Sequence, residues 1–91
     1  MNSILQKNVD YYLTLNYEIV LRKMTRAESG SSEQRYLAQI PLIDGLMAEG
    51  ETPQAALSNL ENVKRLAFEL MLKQGKEIAE PVFESEIEMV A

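Results

Sequence analysis

Between Thr52 and Gly75 the chain carries both the start and stop signals of one long helix, and this segment limits the possible folds more than any other. Thr52 stands where an N-cap side chain is needed, Pro53 at the first helical position, where its missing N–H costs nothing, and Gly75 where the chain must leave the helix. Between them Ala56, Leu57, Leu60, Val63, Ala67, Leu70 and Met71 recur at steps of three and four, which gathers them into one apolar stripe. Such a stripe has to be buried against another layer, and the residues before it are strand material. The segment therefore predicts an α+β domain with one long helix packed on a small sheet. Leu66, Phe68 and Leu72 fall partly off the stripe. They either form a dimer surface or make deeper core against an N-terminal helix.

The sheet is read from alternation and turn residues. Tyr17 to Met24 predicts a first strand, with Tyr17, Ile19 and Leu21 on one face and Glu18, Val20 and Arg22 on the other. The polar run Arg26 to Gln34 predicts a long mobile loop, and Arg35 to Ile40 a second strand halted by Pro41. Leu42-Ile43-Asp44-Gly45 reads as a turn and Leu46 to Gly50 as a short third strand. Before the sheet, Leu5, Val9, Tyr12 and Leu13 have helical spacing, predicting a short helix from Ser3 to about Leu15 with Ser3 as its N-cap. After the long helix, Ile78 to Phe83 predicts a short fourth strand at an edge. The expected division is residues 1–16 as a helical extension, 17–83 as the α/β domain and 84–91 as an acidic tail.

Composition narrows the function. The 91 residues include no cysteine and no histidine, so there is no thiolate nucleophile, no disulfide framework and no imidazole base or metal ligand. A formal charge of −5 disfavours general attraction to nucleic acid or an anionic membrane. No membrane span or signal peptide is legible, so the expected compartment is the cytosol. Asp44, Glu49 and Glu51 are close in sequence and could be read as magnesium ligands of a nuclease, but carboxylates beside glycine turns are usually solvated. The reading adopted is an acidic surface for a basic partner. Tyr17 and Tyr36 could stack RNA bases, though cross-strand packing suits them better. Lys64, Arg65 and Lys73 are expected on a solvated helix face with Glu61 and Glu69.

One ordered series of residues goes further: Ala38-Gln39-Ile40-Pro41, then Asp44-Gly45, then Glu49-Gly50-Glu51-Thr52, then Ala55-Ala56-Leu57-Ser58-Asn59-Leu60. The series resembles the HicB antitoxin family, with Pro41, Gly45, Gly50, Thr52, Ala56, Leu57, Asn59 and Leu60 at matching positions. Ile43 and Leu46 stand where that family often has proline and cysteine. The resemblance spans about Tyr17 to Val82. It implies a partial RNase H-like unit, a non-catalytic protein without cofactor, and neutralisation of a small basic messenger-RNA-cleaving toxin of HicA type by protein contact. About ten residues follow Pro81, fewer than a DNA-binding unit needs, so no direct nucleic-acid contact is expected. A homodimer or larger homo-oligomer is expected, given the wide apolar helix and the strand edges. The alternatives are an RNA-binding module and an orphan oligomeric interaction domain of the same fold.

Overall fold

The structure, a computed structural model, describes residues 7–30 and 33–82. In chain order these form α1 (Val9–Leu13), β1 (Val20–Lys23), α2 (Arg26–Ser29), β2 (Tyr36–Gln39), β3 (Met47–Gly50) and α3 (Pro53–Lys73). The strands make an antiparallel sheet in the order β1-β2-β3, and α3 packs across one face of it, chiefly over β3 and β2. The chain is thus an α+β fold with a three-stranded sheet and a long helix, as its patterning predicts.

The ends of α3 follow from local chemistry. The Thr52 hydroxyl accepts from the Ala55 N–H at 3.0 Å, satisfying one of the orphan donors of the first turn. At the other end Gly75 has φ 74°, Gly75 N–H donates to Leu72 O at 3.1 Å and Lys76 N–H to Met71 O at 2.8 Å. That pair of bonds is a Schellman motif, which needs a residue that tolerates positive φ.

What α3 buries differs from the expected stripe. Its buried residues are Ala56, Leu60, Lys64 and Phe68, a single ridge at four-residue steps; Leu57, Val63, Ala67 and Met71 flank it half-buried, and Leu70 is exposed. The cause is α1 together with Tyr17. Phe68 lies 5.8 Å, centroid to centroid, from both the Tyr12 and Tyr17 rings, so aromatic packing pulls that flank of the helix inward. Of the off-stripe group, Phe68 is core and Leu72 packs against it, while Leu66 remains 64% exposed. Lys64 is not on a solvated face. It is 6% exposed, and its Nζ reaches Glu61 Oε2 at 3.2 Å, so the aliphatic stem is buried while the ammonium reaches outward to a partner.

Beneath α3 the sheet presents small residues. Ala38 pairs with Ala48, both buried, and Tyr36 pairs with Gly50. A Cβ built on Gly50 would lie 2.3 Å from the Ala56 nitrogen and 2.6 Å from the Ala55 carbonyl carbon. Glycine is what lets the first turn of α3 rest on the end of β3. The β2–β3 connection is folded inward: Ile40 N–H donates to Leu46 O at 3.0 Å, Gly45 takes φ 81°, and Ile40, Ile43 and Leu46 are all buried. Ile43 and Leu46, the departures from the HicB pattern, are core residues here.

Several expectations are corrected. The first strand is Val20–Lys23 and not Tyr17–Met24, because Tyr17 turns into the core. Tyr36 lies opposite Lys23 and Gly50, not beside Tyr17. The expected loop after β1 contains α2, nucleated by a capping box in which the Thr25 side chain and Glu28 satisfy each other's backbone N–H. The N-terminal helix runs Val9–Leu13, with Asn8 accepting from the Tyr11 N–H at 3.0 Å; Ser3 and Leu5 lie outside the described residues. No fourth strand forms among the described residues through Val82. That segment is held by side chains instead: Ile78 is buried, the Tyr17 hydroxyl donates to Ala79 O at 2.6 Å, and the Tyr11 hydroxyl to Glu80 Oε1 at 2.8 Å. Lys7 adds an ion pair to Glu80 at 2.7 Å. Phe83 and the tail 84–91 lie outside the described residues.

The clamp between Tyr17 and the segment after α3 has a pH signature. Burial pushes the Tyr17 hydroxyl from 10.0 up to about 12. In the unfolded chain it ionises near 10, so between about pH 10 and about pH 12 the unfolded state holds fewer protons than the folded one and stability falls as pH rises. Below that window the contribution is intact. The loss has an upper limit of roughly 2–3 kcal/mol, and denaturant unfolding across the window, compared with Tyr17→Phe, measures it. An equal slope in the two proteins would remove Tyr17 as the cause.

Candidate interaction surface

Where α3 lies decides which parts of the sheet are closed. Asn59, nearly two turns inside the helix, donates its side-chain amide to the Glu49 carbonyl at 2.7 Å. In the antiparallel register Ile40 and Leu46 are a hydrogen-bonded pair, so Met47 and Glu49 turn their backbone groups away from β2. Asn59 therefore occupies one outward carbonyl of β3, so α3 takes one of the acceptors on that edge.

Among the described residues no strand pairs with the outer edge of β1. All four of its residues are exposed, and Ile19, Val20 and Leu21 are each 39% exposed although they are apolar and consecutive. Met24 N–H donates to Arg35 O at 2.8 Å, in line with the pairing of Val20 with Gln39 and Arg22 with Leu37. Even-numbered residues of this segment thus address β2, and Ile19, Leu21 and Lys23 direct their N–H and C=O groups to the outer edge.

The outer face of the sheet has two cross-strand rows, Val20–Gln39–Met47 and Arg22–Leu37–Glu49. Val20 and Met47 are partly exposed, while Leu37 is buried at a position apart from the main core. Charges frame this apolar centre. Arg22 makes two bonds to Glu28, 2.9 and 2.7 Å, and Arg35 Nε lies 3.2 Å from Glu49 Oε1. The Arg22 guanidinium, aided by the Thr25 N–H, holds the Glu28 carboxyl down at about 2, so that pair stays charged at any ordinary pH. On the other side of the molecule, a groove of about 260 Å³ runs between the β2–β3 loop and the second half of α3. Ile43, Val63, Leu70 and Met71 line it, with Asp44 and Lys76 at its rim.

The three acidic residues singled out in the sequence do not converge. Asp44 precedes β3 at the groove, Glu49 lies on the outer sheet face with Arg35, and Glu51 follows β3 in the turn into α3. The strand between Asp44 and Glu51 spans about 13 Å. Among the described residues no three carboxylates are grouped as a metal site requires, and no helix is long and apolar enough to cross a membrane. The motif positions do come together: Pro41 and Gly45 shape the β2–β3 loop, and Gly50, Thr52, Ala56, Leu57, Asn59 and Leu60 build the joint between β3 and α3. Sequence reasoning expected pairing at strand edges without assigning it to β1, whose outer edge meets no strand among the described residues. Its signal was available in Ile19-Val20-Leu21, three apolar residues in a row where a one-sided strand would alternate. No family model, curated protein or solved structure matches the chain.

Proposed function

We propose that the chain is a partner-binding protein of HicB type, a partial RNase H-like unit that neutralises a small basic toxin in the cytosol by covering its active site. The observation that supports the reading is the outer sheet face: half-exposed Val20 and Met47 beside buried Leu37, with Glu49 at β3 and Glu51 just beyond it. An apolar patch whose rim carries Glu28, Glu49 and Glu51 as well as Arg22 and Arg35 suits a partner that presents charged groups around an apolar contact, with its lysines and arginines meeting the carboxylates. The motif supports the fold side of the reading, since six of its eight matched positions, Gly50, Thr52, Ala56, Leu57, Asn59 and Leu60, seat α3 on β3. A catalytic reading has little chemistry available, because the chain has no histidine or cysteine.

The test is co-expression of the full chain with the product of any short basic reading frame found adjacent to its gene, followed by co-purification and growth rescue. Stable co-purification with rescue is expected. Reversing the rim charges, Glu49→Lys with Glu51→Lys, should slow association about tenfold or more at low salt and less at high salt. Toxicity without rescue, or no complex, overturns the proposal. Salt-sensitive binding of single-stranded RNA by this chain alone would favour an RNA-binding module instead.

A further inference from the structure

We infer that β1 is a self-complementary edge: two copies of this chain join by antiparallel pairing of β1 with β1 about a two-fold axis at Val20, placing Glu18 of each copy opposite the partner's Arg22. The two edges of the sheet are not equivalent. β3 has its outward Glu49 carbonyl taken by Asn59, whereas the outward groups of Ile19, Leu21 and Lys23 meet no strand among the described residues. Unpaired strand edges of this kind template pairing with another chain.

Backbone parity and charge together select the register. Since Ile19, Leu21 and Lys23 carry the outward groups, pairing must place odd residues opposite odd residues. Among such two-fold registers, the one centred on Val20 sets Glu18 against the partner's Arg22 twice, by symmetry. It also sets Ile19 against the partner's Leu21 on the helix side, and Val20 against the partner's Val20 on the outer side. Centring on Leu21 would set Val20 against the partner's Arg22 and Ile19 against the partner's Lys23, and centring on Arg22 would oppose two like charges. Opposite charges and apolar pairs directly across a ladder are the stabilising combinations, and like charges the destabilising ones. The pairing would cover the three half-exposed apolar residues Ile19, Val20 and Leu21 and turn two three-stranded sheets into one of six strands. Arg22 keeps one face toward Glu28 and can serve both carboxylates, because a guanidinium offers five donors. The assignment shares Val20 with the toxin-binding reading, which otherwise uses Leu37, Met47 and the β3 side of the outer face, and it is tested on this chain alone.

The experiment is the oligomeric state of the full chain by light scattering over a concentration series reaching high micromolar. The intact chain should dimerise. Glu18→Arg alone and Arg22→Glu alone should each weaken the dimer at least about tenfold, because two like-charge pairs then face each other, and the double charge swap should restore it. Leu21→Pro removes an outward N–H while leaving the ladder to β2 intact, and should also yield a folded monomer. Amide exchange of Ile19 and Leu21 should slow as concentration rises. A chain that stays monomeric, single swaps that leave the dimer unchanged, or a folded double swap that fails to restore it would each overturn the assignment.

Discussion

Gly50→Ala should cost the protein about 3 kcal/mol or more, a large part of what a domain this size has to spare. The reason is the neighbour rather than the strand. The new methyl would fall 2.3 Å from the Ala56 nitrogen and 2.8 Å from its Cα, and these are backbone atoms of the first turn of α3 that no rotamer change can move aside. Relief requires α3 to lift or tilt. Lifting the helix loosens Ala56 against Ala38 and Ala48, and stretches the Asn59 bond to Glu49, so one methyl perturbs the whole joint. Chemical denaturation measures the loss. A change under about 1 kcal/mol would mean that α3 does not rest on β3 as described. Gly45 provides the contrast: open space surrounds its missing Cβ, so substitution there meets only the strain of φ 81°.

Phe68→Ala should be comparably damaging, by about 3–5 kcal/mol. Phe68 is fully buried between the rings of Tyr12 and Tyr17, and removing it leaves a cavity where α1, α3 and the start of the β1 segment meet. The loss should appear as monomer stability, measured by denaturation at a concentration too low for dimers. Leu66→Ala, at a position 64% exposed, should stay within about 0.5 kcal/mol. If Phe68→Ala instead left monomer stability unchanged and abolished association, the ring would belong to an interface and not to the core.

The sequence left the Phe68 choice open for a physical reason. Periodicity locates a helix face to within about one residue's turn, 100° from its neighbour, and Leu57, Phe68 and Leu72 fall at one border of the stripe while Val63 and Leu70 fall at the other. Which border is buried depends on what approaches the helix from the side. Tyr12 and Tyr17 approach from the Phe68 side, leaving Leu70 and the groove with Asp44 on the other. Lys64 was misread on the same account. Its charge suggested solvent, but its place between Leu60 and Phe68 on the four-residue ridge buries the stem, and only the partner Glu61 reveals where the ammonium goes.

The candidate surface was legible in part. Gly50 and Asn59 stood out as motif positions, yet their roles, a close approach and a bond to one outward carbonyl of β3, exist only once α3 crosses β3. Asp44, Glu49 and Glu51 were near one another in sequence and are spread along β3 in space, because a strand carries its residues apart at about 3.3 Å each.

What the sequence by itself determined is everything set by neighbours a few residues away: the cap at Thr52, the stop at Gly75, the strands at β2 and β3, and the α+β class that follows from one stripe needing one sheet. Those features rest on backbone dihedrals and orphan hydrogen-bonding groups, which act locally. Only the tertiary structure decided the rest. The absence of a fourth strand among the described residues and the clamp of Tyr11 and Tyr17 on Glu80 and Ala79 go with contacts up to 69 residues apart. Contacts of that span leave no period in the chain, since their partners meet only after the core has formed.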